Sequence, residues 1–552
     1  MPTLRHMTCL FIDLQATGAS PTHGRLLELG WCFGSAANDG TDAATLRSLL
    51  VDPQQPIPRQ ISRVTGIDQE MLAQALTPAE AIQQLHRDAP SATVMVAHVA
   101  RYEASFLLPL WREHLGLELA WPILCTHQIA QRLIPTLPSL SLRAVAGHCG
   151  YGVDRERRSA GHVLATAAVW RRVCELLEQD TTVRTLSELQ DWLKQAKPSA
   201  KRPRIYPMAR DARLRLPDQP GIYRMCDASG RILYIGKALS LKSRVNSYFR
   251  HRRGHGADKL EMLTQVASID IEATATGVEA ALLESDEIKR LDPPYNIALR
   301  RLDRRAAFVD QQLRPSSDLG QTKLFGPYPR PEPMIIPHMI ADAMNTSTPT
   351  DDPVFGKLAE LLRESEGDCL TRAALDLFRQ AFDEKEPNAR QILALGFWNQ
   401  RREVAESLAE SLLAATTESE TATETETEAD ADIDTEQPLT AELLVARIQR
   451  TLVSAARDWL RGRRLQALFN CQITWSEGKG ADMRWRQLTL EHGLVIDRRW
   501  LTSAAYYAGK VDSRSHPMCQ WSSDIAVYDR VRILLTEIKR LRAEGATVEV
   551  RY

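Results

Sequence analysis

Tyr223 and Tyr234 close and open two short runs, Gly221-Ile222-Tyr223 and Tyr234-Ile235-Gly236-Lys237, and Arg244 and Tyr248 follow four residues apart. Farther along come Glu279, Glu284 and Asn296. Phenols can pass protons, a planar guanidinium can grip two oxygens of a phosphate, and a carboxylate can hold a hard divalent cation. These are the groups that cleavage of a phosphodiester needs. Each also has an ordinary structural use. The tyrosines can pack in a sheet, Arg244 can be a helix-surface cation, and Glu284 can be a solvated acid.

The elements that must position them are readable nearby. The two runs have the pattern of paired strands joined by the turn Asp227-Ala228-Ser229-Gly230. Ser240 can cap a helix on which Arg244 and Tyr248, at i and i+4, share a face. Thr276 and Glu279 have capping-box spacing, which gives Glu279 a task at the start of a later helix. Glu284 lies five residues on, about 140° around that helix, beside Leu283 and Ile288. The segment Pro293-Pro294-Tyr295-Asn296 completes the set. The local charge suits an anionic partner: 21 Lys+Arg against 13 Asp+Glu between Pro198 and Arg305, a balance of +8 in a chain of net charge −1.

In this order and at these spacings the residues resemble the GIY-YIG endonuclease domain at the N-terminus of the excision-repair nuclease UvrC, and the similarity extends to Phe325-Gly326-Pro327-Tyr328-Pro329. The resemblance implies a metal-dependent DNA endonuclease making a single-strand incision in nucleotide excision repair. It implies Glu284 as ligand of a Mg²⁺ or Mn²⁺ ion, and Tyr223, Tyr234, Lys237, Arg244, Tyr248 and Asn296 as the catalytic set. Within that set Tyr234 serves as general base, provided Lys237 and the metal lower its pKa, with Tyr223 the alternative. Arg244 faces the non-bridging oxygens, and Tyr248 and Asn296 hold the phosphate and the loops. No cysteine cluster, second nuclease domain or helix-hairpin-helix pair is found after residue 340, so the arrangement is closer to the short, single-cut homologue Cho. DNA is the implied partner, with excision-repair damage-recognition proteins beside it.

The front of the chain alternates strand patterns (Cys9–Leu14, Arg25–Phe33, Thr93–Ala97) with helix patterns (Pro78–Ala89, Glu103–Leu115), the mark of an α/β layer fold. Phe11-Ile12-Asp13-Leu14-Gln15, Leu27-Glu28-Leu29-Gly30, Val64-Thr65-Gly66-Ile67, Ala97-His98 with Tyr102-Glu103, and Ser159 to His162 resemble the proofreading exonucleases typified by the epsilon subunit of DNA polymerase III. An RNase H-like fold is therefore implied. That family holds two metals with four carboxylates and uses a histidine to activate water. Here Asp13, Glu103 and His162 match, Gln15 stands where the second acid belongs, and Ala167 stands where the fourth belongs. Two divalent ions at short range need several anionic ligands. The expectation is an exonuclease site that is vestigial and a domain kept for binding, unless Asp154 or Glu156 supplies a missing ligand.

The expected layout is an exonuclease-like domain at 1–180, a GIY-YIG domain at 198–340, a helical region at 354–414, an acidic disordered linker at 415–437 and a small α+β domain at 438–552. The linker rests on nine acidic and no basic residues between Glu418 and Gln437. In the last region Leu468–Trp475 and Trp485–Leu490 read as strands, Ala441–Ala467 and Ala526–Glu544 as helices, and Thr547–Tyr552 as a final strand. Nine scattered cysteines without a CxxC pair point to a reducing compartment, and the lack of a long apolar run or leader pattern points to a cytoplasmic protein with no membrane partner. Competing readings are a polymerase-associated 3′–5′ exonuclease and a non-catalytic DNA-binding scaffold.

Overall fold

The strand Cys9–Ala16 (β1) is buried along almost its whole length, as a strand with neighbours on both edges and layers on both faces must be. The computed structural model describes residues 3–37, 45–89, 94–153, 158–195, 204–250, 256–297, 299, 305–309, 315–316, 325–328, 461–462, 464–478, 483–502 and 524–551. The helical region at 354–414, the acidic linker, most of Ala441–Ala467, and Asp154 and Glu156 lie outside them. The chain divides into two compact units, Met1–Arg300 and Arg301–Tyr552.

In the first unit β1 pairs antiparallel with Leu26–Gly34 (β2), which pairs with Arg47–Leu50 (β3). On its other edge β1 runs parallel to Val94–Ala97 (β4), and β4 to Ile123–Cys125 (β5), so the order is β3-β2-β1-β4-β5. Side chains alternate across the pleat. Cys9 and Phe11 enter one apolar cluster with Val163, Ala167 and Trp170, while Leu10, Ile12 and Leu14 enter another with Ile82, Phe106 and Trp111. Helices supply the two outer layers: Arg59–Thr65 (α1), Pro78–Asp88 (α2), Ala100–Leu115 (α3), Thr126–Leu133 (α4), Leu142–His148 (α5), Ser159–Asp180 (α6) and Leu186–Lys194 (α7). The α/β, RNase H-like reading holds, with α3 beginning three residues before the expected Glu103.

The same unit continues with a short helix Arg210–Leu214 (α8) and a second sheet. Gly221–Cys226 (β6) is central, flanked by antiparallel Ile232–Ala238 (β7) and Ser268–Ala273 (β8). On one face Tyr223 and Met225 pack with Leu241, Val245 and Tyr248 of Leu241–Tyr248 (α9) and with Met262 and Leu263 of Ala257–Gln265 (α10). On the other face Arg224 reaches Glu287 of Gly277–Leu291 (α11) at 2.6 Å and Asp270 and Glu272 of β8 at 2.9 and 2.7 Å. One guanidinium thus ties three elements. The strand β8 escapes a hydrophobicity reading because Ser268, Asp270 and Glu272 alternate with only two isoleucines.

In the second unit Ala307–Val309 (β9), Pro315–Ser316 (β10) and Phe325–Tyr328 (β11) form a small sheet. Cys471–Glu477 (β12), Arg484–Glu491 (β13), Leu494–Leu501 (β14) and Val548–Arg551 (β15) form an antiparallel sheet, accompanied by the helix Ile525–Ala543 (α12). The strand β14 was not expected. Its Asp497, Arg498 and Arg499 break the apolar pattern. Among the described residues no helix is long and apolar enough to cross a membrane.

Candidate active site

Strand β7 lies at the edge of its sheet, so its outward N–H and C=O groups need partners. The Tyr295-Asn296 segment and α11 supply them. Tyr295 N–H donates to the Leu233 carbonyl at 3.1 Å. The Asn296 side chain accepts from Ile235 N–H and donates to the Ile235 carbonyl, both at 2.9 Å. Two residues on, Lys237 N–H donates to Glu284 Oε1 at 2.9 Å. Four contacts thus dress the edge of β7 from Leu233 to Lys237 without a strand. They place Glu284, half-buried on α11, beside the strand that carries Tyr234.

Three phenols converge on the other side of that strand. Tyr223, fully buried, lies 2.9 Å from the Tyr248 hydroxyl, and the ring centroids of Tyr223, Tyr234 and Tyr248 are 6.0 to 6.3 Å apart. Gly236 is needed beneath them, since a Cβ there would meet the Tyr223 hydroxyl at 2.4 Å. Ser240 caps α9 by accepting from Ser243 N–H, which sets the helix that carries Arg244 and Tyr248. The Arg244 guanidinium stands 5.3 Å and the Lys259 ammonium 4.4 Å from the centre of the Tyr248 ring. Sequence reasoning missed Lys259, which sits on α10 with no local pattern to mark it.

The expected role of Tyr234 as base requires Lys237 and a metal to lower its pKa; among the protein's own groups, burial holds it above the ordinary phenol range, with Tyr248 and the Glu284 carboxylate pushing the same way. Tyr223 is raised further by burial and by its two phenol neighbours. Lys237 projects from the strand as an exposed side chain.

The residues singled out at the front also meet. Glu28, fully buried, accepts from Arg158, Ser48 and the Ser159 N–H, fixing the start of α6 and so the position of His162. Asp13 Oδ2 accepts from the Gln15 amide at 2.7 Å, and Asp13 Oδ1 faces His162 Nδ1 at 3.2 Å. Both carboxylate oxygens therefore have protein partners. Glu103 is buried, and burial together with Asp13 pushes its carboxyl up to about 8. Its Oε2 and the His162 Nε2 are sealed from solvent and without a hydrogen-bond partner. His98 is locked between Thr126 and the Leu140 carbonyl, and burial holds its pKa at about 4. Ala167 lies in the apolar cluster around Phe11. No group of three or more His, Cys, Asp or Glu among the described residues could hold a metal ion.

Residues 219–297 match the UvrC-like GIY-YIG domain. A Mycobacterium tuberculosis (strain CDC 1551 / Oshkosh) protein named "Putative bifunctional exonuclease/endonuclease protein" is 28% identical over 312 residues, 53% of this chain and 45% of its own length. The chain joins an exonuclease-like fold to a GIY-YIG domain. The UvrABC system protein C of Legionella pneumophila (strain Lens) is 42% identical over 125 residues, 21% of this chain and 20% of its own length. The solved GIY-YIG N-terminal endonuclease domain of UvrC from Thermotoga maritima, bound to its catalytic magnesium, is 28% identical, covering 16% of this chain and 94% of that one at a TM-score of 0.15. The chain thus spans less than half the length of these two curated relatives.

Within the GIY-YIG domain all seven expected residues are brought together around β7, and the carboxylate among them is anchored by one oxygen to backbone. A carboxylate in this place is of the chemical type that ligates a hard cation, one that would keep most of its water.

The exonuclease-like fold offers a test through Glu103. Its carboxyl titrates near the usual value when unfolded and is raised to about 8 when folded, so its contribution to stability is fully present below about pH 4.5 and is lost as pH rises toward 8. Glu103→Gln should therefore raise the melting temperature at pH 8 by several degrees and change it little at pH 4.5. Thermal melts of both proteins across that range check this, and an offset that does not grow with pH would refute it.

Proposed function

We propose that the chain is a metal-dependent DNA endonuclease that makes one incision in a strand, in the setting of nucleotide excision repair. The observation that carries the reading is the convergence of three phenols and Arg244 on one side of β7 with Glu284 pinned to the backbone of the same strand. The basic balance between Pro198 and Arg305 suits a phosphate backbone. The named functions of the relatives support the same class of reaction.

In this reading Glu284 holds a Mg²⁺ or Mn²⁺ ion, which when bound supplies charge neutralisation at the phosphate, help for the leaving 3′ oxygen and a cation beside the phenols. Arg244 presents its planar fork to the non-bridging oxygens. Tyr234, the expected general base, takes the proton of the attacking water. Tyr223 and Tyr248 hold its hydroxyl through the phenol cluster, and Lys237 adds charge at the mouth. Asn296 keeps the strand in register. Excision-repair damage-recognition proteins are the proposed partners.

Residues 1–180, in the same reading, bind rather than cut. The two oxygens of Asp13 are engaged by Gln15 and His162, burial raises the Glu103 carboxyl to about 8, and His162 Nε2 is sealed from the water it would have to activate. One negative charge does not fit a pair of divalent ions.

Three outcomes are expected. Glu284→Gln keeps an oxygen for Lys237 N–H but removes the charge, so nicking of an end-labelled duplex should fall on the order of a hundredfold or more while the melting temperature holds. Progressive shortening of a 5′-labelled strand from its 3′ end by that variant would instead favour exonuclease action at Asp13 and Glu103. Arg244→Lys should also lose most activity, because a point charge cannot replace a bidentate fork; normal rates would make Arg244 a surface cation. A base whose pKa lies above the ordinary phenol value is scarcer the lower the pH, so the nicking rate should climb about tenfold per pH unit between 6.5 and 9. Tyr234→Phe should flatten the remaining profile, and an unchanged slope would remove Tyr234 from the role.

A further inference from the structure

The exonuclease-like fold and the GIY-YIG domain meet along α5 and α10, and their contact is built largely from polar groups, several of them mostly shielded from solvent. Arg143 Nη1 lies 3.1 Å from Glu261 Oε1, with side chains only 16% and 13% exposed. The same guanidinium stands 4.7 Å from the centre of the Tyr295 ring. Tyr295 donates its hydroxyl proton to Glu261 Oε1 at 2.9 Å and accepts from the Gln265 amide at 2.5 Å. The hydroxyl of Ser141 donates to Glu261 Oε2 at 2.5 Å, and Ser139 N–H donates to Thr264 Oγ1 at 3.0 Å. Gly147 lies so close to Gln265 that a Cβ there would meet its Oε1 at 1.9 Å. A loosely tethered pair of domains would not need a glycine at that point or a shielded ion pair.

The network ends one residue from the active site. Tyr295 bonds through its own N–H to Leu233 of β7, and Asn296 next to it clamps Ile235. We propose that Arg143, in the exonuclease-like fold, is a positioning residue for the GIY-YIG reaction: through Glu261 and Tyr295 it holds the 295–296 segment that dresses the edge of β7. The exonuclease-like fold then acts as the buttress of the cutting site. Free to move, the Tyr295 ring would loosen the Asn296 clamp, and Tyr234 and Glu284 would lose their common reference on β7. Small misplacements of reacting groups are costly because a bound geometry replaces the entropy of encounter. The inference rests on the reading of the GIY-YIG domain as the module that cuts.

The test uses the full chain with Arg143→Ala, Arg143→Lys and Glu261→Gln, and measures nicking of one duplex together with hydrogen exchange at the Ile235 and Lys237 amides. Arg143→Ala should lower kcat roughly tenfold or more while KM for DNA stays within about twofold, and should speed exchange at both amides. Arg143→Lys, which keeps the ion pair, should recover a large part of both. If Arg143→Ala does not fold, Glu261→Gln carries the same expectation, since it keeps the shape and weakens the pair. A folded Arg143→Ala or Glu261→Gln protein with wild-type kcat and wild-type exchange overturns the proposal, as does a fall in kcat with unchanged exchange. A wild-type chain that nicks no duplex would sink the endonuclease reading instead, and the exchange data would still decide whether the network holds β7.

Discussion

The open edge of β7 is the constraint on which the rest of this site depends. A three-stranded sheet must leave two edges, and an edge strand that also carries Tyr234, the proposed base, cannot be hidden by another strand without losing access. Here the edge is satisfied piecemeal, by one backbone N–H, one carboxamide and one carboxylate. That solution places a carboxylate at the mouth of the site as a by-product of hydrogen bonding. It also explains why Asn296, far from the strands in sequence, belongs to the same machinery: its amide imitates a paired strand residue at Ile235.

The two acidic sites of the first unit are resolved in opposite ways. Glu284 uses one oxygen on a backbone donor and sits where solvent reaches the strand's outer end. Asp13 has both oxygens committed to side chains, and Glu103 behind it favours the proton over the charge. Gln15 is the pivot. As an amide it donates to Asp13, taking the geometric place that a cation would otherwise take in balancing that carboxylate. A glutamate at the same position could only repel it, so the amide lets the two side chains stand together without a cation between them.

Local pattern made much of this legible. Tyr223, Tyr234, Arg244 and Tyr248 could be placed because strand alternation and i, i+4 spacing are local facts, and Thr276 could be placed as a cap for the same reason. The substitutions at Gln15 and Ala167 were equally visible. The pairing of Arg143 with Glu261 was not, because it joins residues more than a hundred positions apart and no spacing rule marks it. Lys259 was missed for a similar reason, its role arising only when α10 crosses the ring of Tyr248. The burial of Tyr234, which raises its pKa, was not legible in the sequence, where only the nearby cations could be counted. Desolvation of a phenol outweighs a partly exposed charge.

The interface between the two folds gives a physical reason for the exonuclease-like fold to be kept beside the GIY-YIG domain, whatever its own pocket does. Ala167 in the pocket is a small side chain within an apolar cluster, and an exchange there is tolerated by the sheet at modest cost. Loss of Arg143 would instead leave Glu261 as a buried carboxylate facing a phenol and a serine with no cation, a cost of several kcal/mol by the measure of broken buried pairs. The surface of the front fold is therefore held by a steeper penalty than its pocket. A domain can shed its reaction one side chain at a time and still be indispensable, provided that the neighbouring site has come to lean on its outside.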